Sequence, residues 1–500
     1  MLAEPDRTTF LEAYEAGRPQ VVWTTLVADL ETPVSALLKL ADGRPWSFLL
    51  ESVEGGAVRG RYSIIGMKPD LVWRCRGERA EINRRARIER EAFTPEPLPS
   101  LASLRALINQ SRIAMPPGLP PPAAGLFGFM AYDMVRLMER LPERAPDPLG
   151  LPDAIFLRPT IVAVFDNLAD SVTLVTPVWP QPGLSAVRAW DLAQERLAET
   201  VEDFDRGVRH EPPRKSPLSV EPVPMISREA FEAMVRRCKE YIAAGDAFQI
   251  VISQRFAVPF ELPPLSLYRA LRRLNPSPFL FYLDLDGFTL VGSSPEILVR
   301  LREGKVTIRP LAGTRRRGIT REEDEALAAE MLADPKERAE HLMLLDLGRN
   351  DVGRVAEVGT VQVTEQMVVE RYSHVMHISS NVEGMLRPGL DALDALVAGF
   401  PAGTVSGAPK VRAMEIIEEL EPVRRGFYAG TIGYFAADGS MDTCIGLRTA
   451  LVKDGQMIVQ AGAGIVHDSD PAAEYQETIN KARALVRAAE EAVRFAARGR

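Results

Sequence analysis

The sequence is poor in the residues that build disulfide frameworks and histidine-rich metal sites. Its 500 residues include only three cysteines and five histidines. Cys75, Cys238 and Cys444 are odd in number and far apart, and no Cys-x-x-Cys pair occurs. This usage argues against a disulfide scaffold or a structural zinc site and favours a reducing compartment. The histidines do not form the His-Glu-x-x-His spacing of zinc proteases.

Long apolar runs and an excess of positive charge are also missing. No stretch approaches the roughly 18 apolar residues that a membrane span needs, and the acidic start at residues 1–6 lacks the apolar core of a secretory signal. The net charge is −8, so phosphate backbones and anionic lipid surfaces would be repelled. We therefore expect a cytoplasmic protein that binds neither nucleic acid nor membranes.

The composition suits a large globular fold, since 46% of the residues are hydrophobic and 26% are charged. Strand-like runs and amphipathic helices are mixed without regular alternation, which predicts an α+β fold. A proline-rich stretch predicts an exposed linker at 203–226. This linker would divide an N-terminal half, residues 1–202, from a C-terminal half, residues 227–500.

Local sequence signals locate several elements of the C-terminal half. Ser227 is a typical N-cap before an apolar stripe, and Gly245 predicts where that helix ends. Asp334 followed by proline predicts a helix running to about Leu347, and a last helix is expected from Pro471 to the C-terminus. The prolines within residues 94–99 argue against a strand there. Strands are predicted at 247–257, 279–285, 289–293 and 297–301.

Two pairs of glutamates have a spacing that places both carboxylates on one helix face: Glu337 with Glu340, and Glu474 with Glu477. Four carboxylates in one cleft would require a cation, and hard oxygen donors without thiolate or imidazole suit Mg²⁺. However, Glu337 also stands at the third position of a capping box. The same spacing recurs elsewhere in the chain, for instance at residues 322 and 325. The spacing alone therefore leaves both a metal site and solvated helix faces open.

Three glycine-rich segments, residues 311–314, 400–410 and 460–464, could bring the backbone close to a ligand. Tight turns and close packing are the alternative. The middle segment, which ends at Lys410, does not have the GxxxxGK[ST] spacing of a phosphate-binding loop.

Taken together and in order, the motifs of this sequence resemble those of the chorismate-binding enzymes. That family includes anthranilate, aminodeoxychorismate, isochorismate and salicylate synthases. The resemblance covers nearly the whole chain and implies stacked antiparallel β-sheets flanked by helices. The segments that carry it are Gly245-Asp-Ala-Phe-Gln249, Asn275-Pro-Ser-Pro278, Gly292-Ser-Ser-Pro-Glu296, Arg309-Pro-Leu-Ala-Gly-Thr314, residues 334–351, residues 401–410, Asp442-Thr-Cys-Ile445, residues 460–464 and Glu474-Tyr-Gln-Glu477.

The resemblance implies a role for each matching residue. Glu340 and Glu477 would bind Mg²⁺ directly, and Glu337 and Glu474 would bind it through water. His377 resembles a general acid or base, and which proton it transfers stays open. Arg448 and Tyr428 would hold the enolpyruvyl carboxylate of chorismate. The other implied catalytic or substrate-binding positions are Gln249, Gly313, Thr314, Thr404, Gly462 and Gly464.

Two positions distinguish the branches of the family. Water-adding members carry a lysine base where this chain has Gln249, and aminodeoxychorismate synthases carry a lysine nucleophile where it has Ala312. Both differences favour the anthranilate synthase branch. There, ammonia adds at C2, the C4 hydroxyl leaves and pyruvate is eliminated, a carbon–oxygen lyase reaction that begins tryptophan biosynthesis. An aminodeoxychorismate synthase and a catalytically silent chorismate- or tryptophan-binding regulator remain the alternatives.

The resemblance also implies a partner and an inhibitor. No glutaminase Cys–His–Glu set is present, so a separate glutamine amidotransferase subunit would supply ammonia within a hetero-oligomer. Residues 49–52 and residues 275–280 resemble the family's tryptophan-feedback elements. In the second segment, Phe279-Leu280 replaces the Tyr-Met that relatives commonly have. A buried strand and a proline turn would explain the same residues structurally. The implied tryptophan contacts are Glu51, Ser52, Pro278, Phe279 and Leu280.

Overall fold

The computed structural model describes residues 3–41, 43–54, 58–142, 145–208, 221–372 and 375–497. These residues form a large antiparallel β structure with helices on its outside, and two short 3-10 helices. The strands are β1 Gln20–Val27, β2 Ser47–Glu54, β3 Val58–Arg76, β4 Arg79–Asn83, β5 Thr94–Pro99, β6 Gly125–Met130, β7 Ala154–Asp166, β8 Ser171–Val178, β9 Val223–Pro224, β10 Gln249–Pro259, β11 Phe279–Asp284, β12 Thr289–Ser294, β13 Ile297–Arg302, β14 Lys305–Ile308, β15 Leu311–Arg316, β16 Gln362–Arg371, β17 Val375–Met385, β18 Gly407–Ala408, β19 Thr431–Ala436, β20 Met441–Ile445, β21 Thr449–Lys453 and β22 Gln456–Ile465. The helices are α1 Arg7–Glu15, α2 Pro33–Ala41, α3 Ser100–Gln110, α4 Ala186–Asp205, α5 Arg228–Ala243, α6 Pro264–Leu274, α7 Arg321–Ala333, α8 Pro335–Gly353, α9 Ala392–Gly399, α10 Gly403–Ser406, α11 Lys410–Leu420 and α12 Pro471–Ala497.

The strands form two layers that share the long strands β3 and β7. These two strands pair along most of their length, and the register shifts between Pro69 and Leu71. On one side of the shift, the neighbours follow the order β1-β8-β7-β3-β2-β11-β12-β21-β22-β10. On the other side, the order is β5-β4-β3-β7-β6-β19-β20-β13-β14-β17, and β15 and β16 also pair with β17. Every pairing between the described strands is antiparallel, which confirms the predicted fold.

Alternating side chains place the first layer between two hydrophobic cores. Phe48 on β2 stacks on Phe127 of β6 with 4.5 Å between the ring centroids, so it belongs to the core between the layers. Its neighbour Leu49 faces the opposite way and packs in the core beneath the flanking helices. This two-residue period is what a strand buried on both faces requires. Helices α1, α2, α4, α6 and α12 cover the outer face of this layer.

Strands from both halves of the chain are neighbours in the same layers. Strand β2 pairs with β11, and β6 pairs with β19. Within the predicted linker, residues 203–205 form the last turn of α4 and β9 pairs with β10, whereas residues 209–220 lie outside the described residues. The division into residues 1–202 and 227–500 stays a prediction. No helix among the described residues is both long and apolar enough to span a bilayer.

The local signals locate the helices that matter for the site. Helix α5 begins after Ser227, whose side chain accepts from the Ala230 N–H, and α12 begins at Pro471 as predicted. Helix α8 begins at Pro335 but continues to Gly353, six residues past the predicted end. The prediction that prolines exclude a strand at 94–99 is wrong. Strand β5 lies at an edge and pairs only with β4 among the described strands, a position where missing N–H donors are tolerated.

Candidate active site

The first turn of α8 holds one pair of the predicted glutamates. Asp334 caps the helix by accepting hydrogen bonds from the N–H groups of Lys336 at 2.9 Å and Glu337 at 3.4 Å. The Glu337 carboxylate instead accepts a hydrogen bond from Arg315 on β15, with an N···O distance of 2.8 Å. One turn later, Glu340 accepts from the Gln249 amide at 3.2 Å. Helix α8 is thereby tied to β15 and to the start of β10.

The first turns of α12 hold the second pair. Glu477 forms an ion pair with Lys481 at 2.6 Å, and Lys481 also donates to the Gly462 carbonyl at 3.0 Å. Burial raises the pKa of Glu474, a hydrogen bond from the Ser469 hydroxyl lowers it, and the charge of Glu477 raises it. The start of α12 is thus joined to β22, whose small residues were predicted to approach a ligand.

The two pairs of carboxylates lie close enough to influence one another. Burial raises the pKa of Glu340, the hydrogen bond from Gln249 lowers it, and the charges of Glu337 and Glu477 raise it further. Within the described ranges, no three histidine, cysteine, aspartate or glutamate side chains converge as a ready metal-binding group. The donors nevertheless fit a divalent cation chemically, because partly buried carboxylates that oppose each other's ionisation would be stabilised by positive charge.

His377 lies on β17, and one of its two ring nitrogens contacts the glycine-rich segment of β15. Its Nδ1 is 2.8 Å from the Gly313 carbonyl oxygen and 3.2 Å from the Thr314 hydroxyl. Because a carbonyl can only accept, Nδ1 carries the proton and Nε2 keeps a free lone pair. Among the described residues, the buried Nε2 has no hydrogen-bond partner. Burial lowers the pKa of His377 to about 4, so the ring is neutral at physiological pH.

Two glycines of β22 leave room for functional side chains. A Cβ on Gly462 would lie 2.5 Å from the Tyr428 hydroxyl oxygen, and a Cβ on Gly464 would lie 2.7 Å from the Gln249 amide nitrogen. Both distances are shorter than van der Waals contact allows, so any larger residue would displace Tyr428 or Gln249. The sequence prediction grouped these four residues, and the structure brings them together.

Arg448 lies between β20 and β21, and β21 pairs with β22, the strand that carries the two glycines. Its backbone adopts a φ of 48°, a left-handed conformation that is uncommon outside glycine and recurs at functional sites. Burial lowers the pKa of its guanidinium. In the part of the chain that the structure describes, this side chain forms no hydrogen bond and no ion pair. A half-buried guanidinium without a partner is suited to an anionic ligand.

Sequence reasoning missed two residues of the site, Glu296 and Lys481. Glu296 is 6% exposed and lines a small cavity together with Thr404. Burial raises the pKa of Glu296 to about 8, although the Leu311 N–H and the Thr404 hydroxyl lower it. A sequence motif ends at Glu296, but only the fold shows that its carboxyl is buried, which keeps it protonated near neutral pH. The sequence spacing of Lys481, four residues after Glu477, was the available signal for that ion pair.

The five predicted tryptophan contacts line a different cavity. It has a volume of about 600 Å³ and lies between the two layers. The Glu51 carboxylate is already engaged, because Arg272 donates to it at 2.6 and 2.8 Å and the Tyr268 hydroxyl donates at 2.5 Å. Tyr372 lines the same cavity and touches the His377 ring edge-on, with 5.6 Å between the ring centroids. The lining includes Glu51, Ser52, Pro278, Phe279 and Leu280.

The family model and the most similar curated proteins indicate the same family. The family model described as chorismate binding enzyme matches residues 68–487. The chain is 58% identical to anthranilate synthase component 1 from Cereibacter sphaeroides, covering 98% of both chains. It is 49% identical to the protein of that name from Pseudomonas putida, covering 92% of this chain and 93% of the relative.

Solved structures with a similar fold include a protein of the same name. The crystal structure of anthranilate synthase component I from Streptococcus pneumoniae superposes with a TM-score of 0.75 at 39% identity, covering 85% of this chain and 92% of that one. The menaquinone-specific isochorismate synthase from Escherichia coli shares the fold, with a TM-score of 0.70 at 20% identity over 96% of this chain and 99% of that one. The resemblance predicted from the motifs is confirmed. The chain belongs to the family of chorismate-binding enzymes, among relatives named anthranilate synthase component 1.

Proposed function

We propose that this chain is the aminating subunit of an anthranilate synthase, which converts chorismate and ammonia to anthranilate and pyruvate. The observation that carries the proposal is the Gln249 amide bonded to Glu340. An amide cannot deprotonate water, so this position does not support addition of water to the ring. Ammonia is already a nucleophile and needs no base. The shared name of the full-length relatives supports the same activity.

The substrate would be held by its two carboxylates at opposite ends of the site. The Arg448 guanidinium, which has no partner among the described residues, and the Tyr428 hydroxyl are the groups suited to the enolpyruvyl carboxylate. The ring would lie against the glycines of β22 and the segment Gly313–Thr314, where only small residues allow close approach. Thr404 would close the pocket beside Glu296.

The four glutamates would hold Mg²⁺ next to the ring carboxylate. Glu340 and Glu477 are assigned as direct ligands, and Glu337 and Glu474 as ligands through water. When bound, the ion would neutralise the ring carboxylate and favour departure of the C4 hydroxyl. The ion pairs of Glu337 with Arg315 and of Glu477 with Lys481 would hold these carboxylates near the site in the absence of the ion.

Two buried residues with opposite protonation states would carry out the two proton transfers of the reaction. Glu296 is protonated near neutral pH, so it would donate the proton that lets the C4 hydroxyl leave as water while ammonia adds at C2. His377 is neutral with a free Nε2 lone pair, so it would accept the C2 proton as the C3–O bond breaks and pyruvate is released. Thr314 would help to orient the imidazole through Nδ1.

Ammonia would come from a separate glutamine amidotransferase subunit, as the component name of the relatives supports. The hetero-oligomer would work in the cytoplasm, which agrees with three cysteines that are free and buried.

L-Tryptophan would inhibit by occupying the 600 Å³ cavity that Ser52, Pro278, Phe279 and Leu280 help to line. Because Glu51 is engaged by Arg272, it would support β2 and would not bind the amino group of the ligand through a free carboxylate. The test is the rate of anthranilate formation with increasing tryptophan, and a rate that stays constant would reject the regulatory site.

The activity is tested with purified chain, chorismate, Mg²⁺ and excess ammonium at mildly alkaline pH, by following anthranilate fluorescence and chorismate loss together. Fluorescence that requires the metal is the expected result. Chorismate loss without fluorescence would indicate aminodeoxychorismate or isochorismate chemistry. No chorismate loss from a folded protein would indicate a silent binding protein.

A further inference from the structure

Phe248 is unlike every other aromatic residue of the chain. The sequence has 19 phenylalanines, ten tyrosines and five tryptophans. Among the described residues, Phe248 is the only one of these whose side chain is exposed, at 72%. Its neighbours Ala247 and Gln249 are 5% and 3% exposed. An isolated exposed apolar residue is ordinary. Aromatic residues, however, are enriched at the cores of protein interfaces, and every other aromatic side chain that the structure describes is at least partly buried.

The backbone holds this ring outward in a fixed position. Gly245 ends α5 with a φ of 86°, and the Phe248 N–H donates to the Ala408 carbonyl at 2.7 Å. The next residue, Gln249, begins β10 and turns its amide inward to Glu340. The exposed ring therefore belongs to the residue next to Gln249, and Gln249 contacts a glutamate of the site.

The segment that Phe248 contacts through Ala408 continues into a helix start with a further exposed apolar residue and paired charges. Val411, at the start of α11, is a further apolar residue that is 38% exposed. Around them, Arg412 bridges Asp246 at 2.9 Å and Glu415 at 2.8 Å, so these charges are already paired. An aromatic anchor with a satisfied polar rim is typical of a surface that binds another protein.

We infer that Phe248 anchors the ammonia-supplying amidotransferase subunit, and that ammonia reaches the site along residues 247–249, beside Gln249. This inference rests on the proposed amination of chorismate and extends it to the surface that the partner covers. Most free ammonia is protonated at neutral pH and lost as a nucleophile, so the donor has to release it where the path to the site is short. The surface of Phe248 meets this condition because its neighbour contacts Glu340 directly.

The experiment compares Phe248→Asp with the full-length wild type, each with the amidotransferase subunit purified from the same source. Anthranilate formation is measured once with glutamine and once with excess ammonium. We expect the glutamine-dependent rate at limiting partner to fall by about tenfold or more, as for loss of an interface anchor. The ammonium-dependent rate should be unchanged, because the variant leaves the chemical groups in place.

Two further variants serve as controls. Leu168→Asp places the same charge on a residue that is 76% exposed in the turn between β7 and β8, and both rates should be unchanged. Phe248→Tyr keeps the ring and should restore glutamine-dependent activity. An unaltered glutamine-dependent rate in Phe248→Asp would overturn the inference, as would an equal loss of both rates. Failure of the wild type to form anthranilate even with ammonium would instead reject the proposed function.

Discussion

Glu296 and His377 carry opposite pKa shifts that have one physical cause. Burial disfavours the charged form of any group, so it raises the pKa of Glu296 to about 8 and lowers the pKa of His377 to about 4. At physiological pH, the structure therefore presents a protonated acid and an unprotonated base. Such a separation of protonation states is a common way to assign acid and base roles within one site.

The variant Glu296→Gln tests the acid. A glutamine preserves the shape of the side chain but cannot donate a carboxylic proton, so kcat should fall by about 10²–10⁴-fold. In the wild type, activity should also decline as pH rises through about 8, because the carboxyl loses its proton there. Initial rates are measured from pH 6.5 to 9.5 at a constant concentration of unprotonated ammonia. A wild-type decline that persists in Glu296→Gln would assign it to another group.

The variant His377→Asn tests the base. Because the pKa of His377 lies near 4, wild-type activity should show no histidine titration between pH 5.5 and 8. The variant should lose about 10²-fold or more in the rate of pyruvate release while ammonia addition persists, so an aminated intermediate should accumulate. Quenched reactions analysed by chromatography measure both steps. Equal slowing of the two steps, without accumulation, would contradict the assignment.

His377 should also make the fold less stable in acid. Its pKa is lower in the folded chain than its ordinary value of 6.5, so the unfolded chain binds the additional proton. This contribution to the free energy of unfolding is complete above pH 6.5 and is lost as pH falls towards 4. Urea unfolding of the wild type and His377→Asn at pH 7.5 and 5.0 measures the difference, and a smaller loss in the variant is expected.

Residue identities were predictable where a motif carried them, and protonation states were not. The sequence indicated His377 and the glutamates, but it left the proton of His377 open. Only the 2.8 Å contact between Nδ1 and the Gly313 carbonyl shows which nitrogen is basic. Glu296 was overlooked for the same reason, since its raised pKa comes from burial by chain segments that are distant in sequence.

At the scale of elements, α8 and α12 bring their acidic first turns to the same cleft. Their starts were predicted because Asp334 and the prolines at 335 and 471 are strong local signals. The end of α8 was not predicted, because residues 348–352 are held by packing: Gly348 and Val352 are buried. The strand β5 was missed because an edge position, which local sequence does not reveal, tolerates its prolines.

The variant Glu477→Ala tests the joint role of these two helices. Removing one assigned ligand should abolish anthranilate formation and weaken Mg²⁺ binding by about 10-fold or more. Isothermal titration with Mg²⁺, in the presence of chorismate, measures the binding separately from turnover. The control is Glu322→Ala, which removes a glutamate of the same i,i+3 spacing from the exposed side of α7. Equal Mg²⁺ affinity of Glu477→Ala and the wild type would contradict the metal assignment.

At the scale of the whole molecule, strands from residues 1–202 pair with strands from residues 227–500. Strand β11 pairs with β2 and β19 pairs with β6, and the Phe48–Phe127 stack lies between the layers. A chain of residues 227–500 alone would expose these strand edges and the apolar face above them. We expect it to aggregate or to lack a cooperative unfolding transition. Circular dichroism during thermal unfolding checks this, and a cooperative transition matching the full chain would show that the C-terminal half folds alone.

The class of fold was predictable from the mixture of strands and helices and from the resemblance of the motifs. The order of strands was not, since β11 has neighbours at residues 47–51 and 289–294 that no local pattern connects. The cavity between the layers was not predictable either, because its lining residues come from both halves of the chain.

The most direct test of the proposed chemistry is to locate the new nitrogen in the product. The chain is incubated with chorismate, Mg²⁺ and ¹⁵N-labelled ammonium, and the products are resolved by chromatography and NMR. We expect anthranilate with the label on the ring carbon next to the carboxylate, together with an equal amount of pyruvate. A label opposite the carboxylate, or a hydroxylated product without label, would contradict amination at C2.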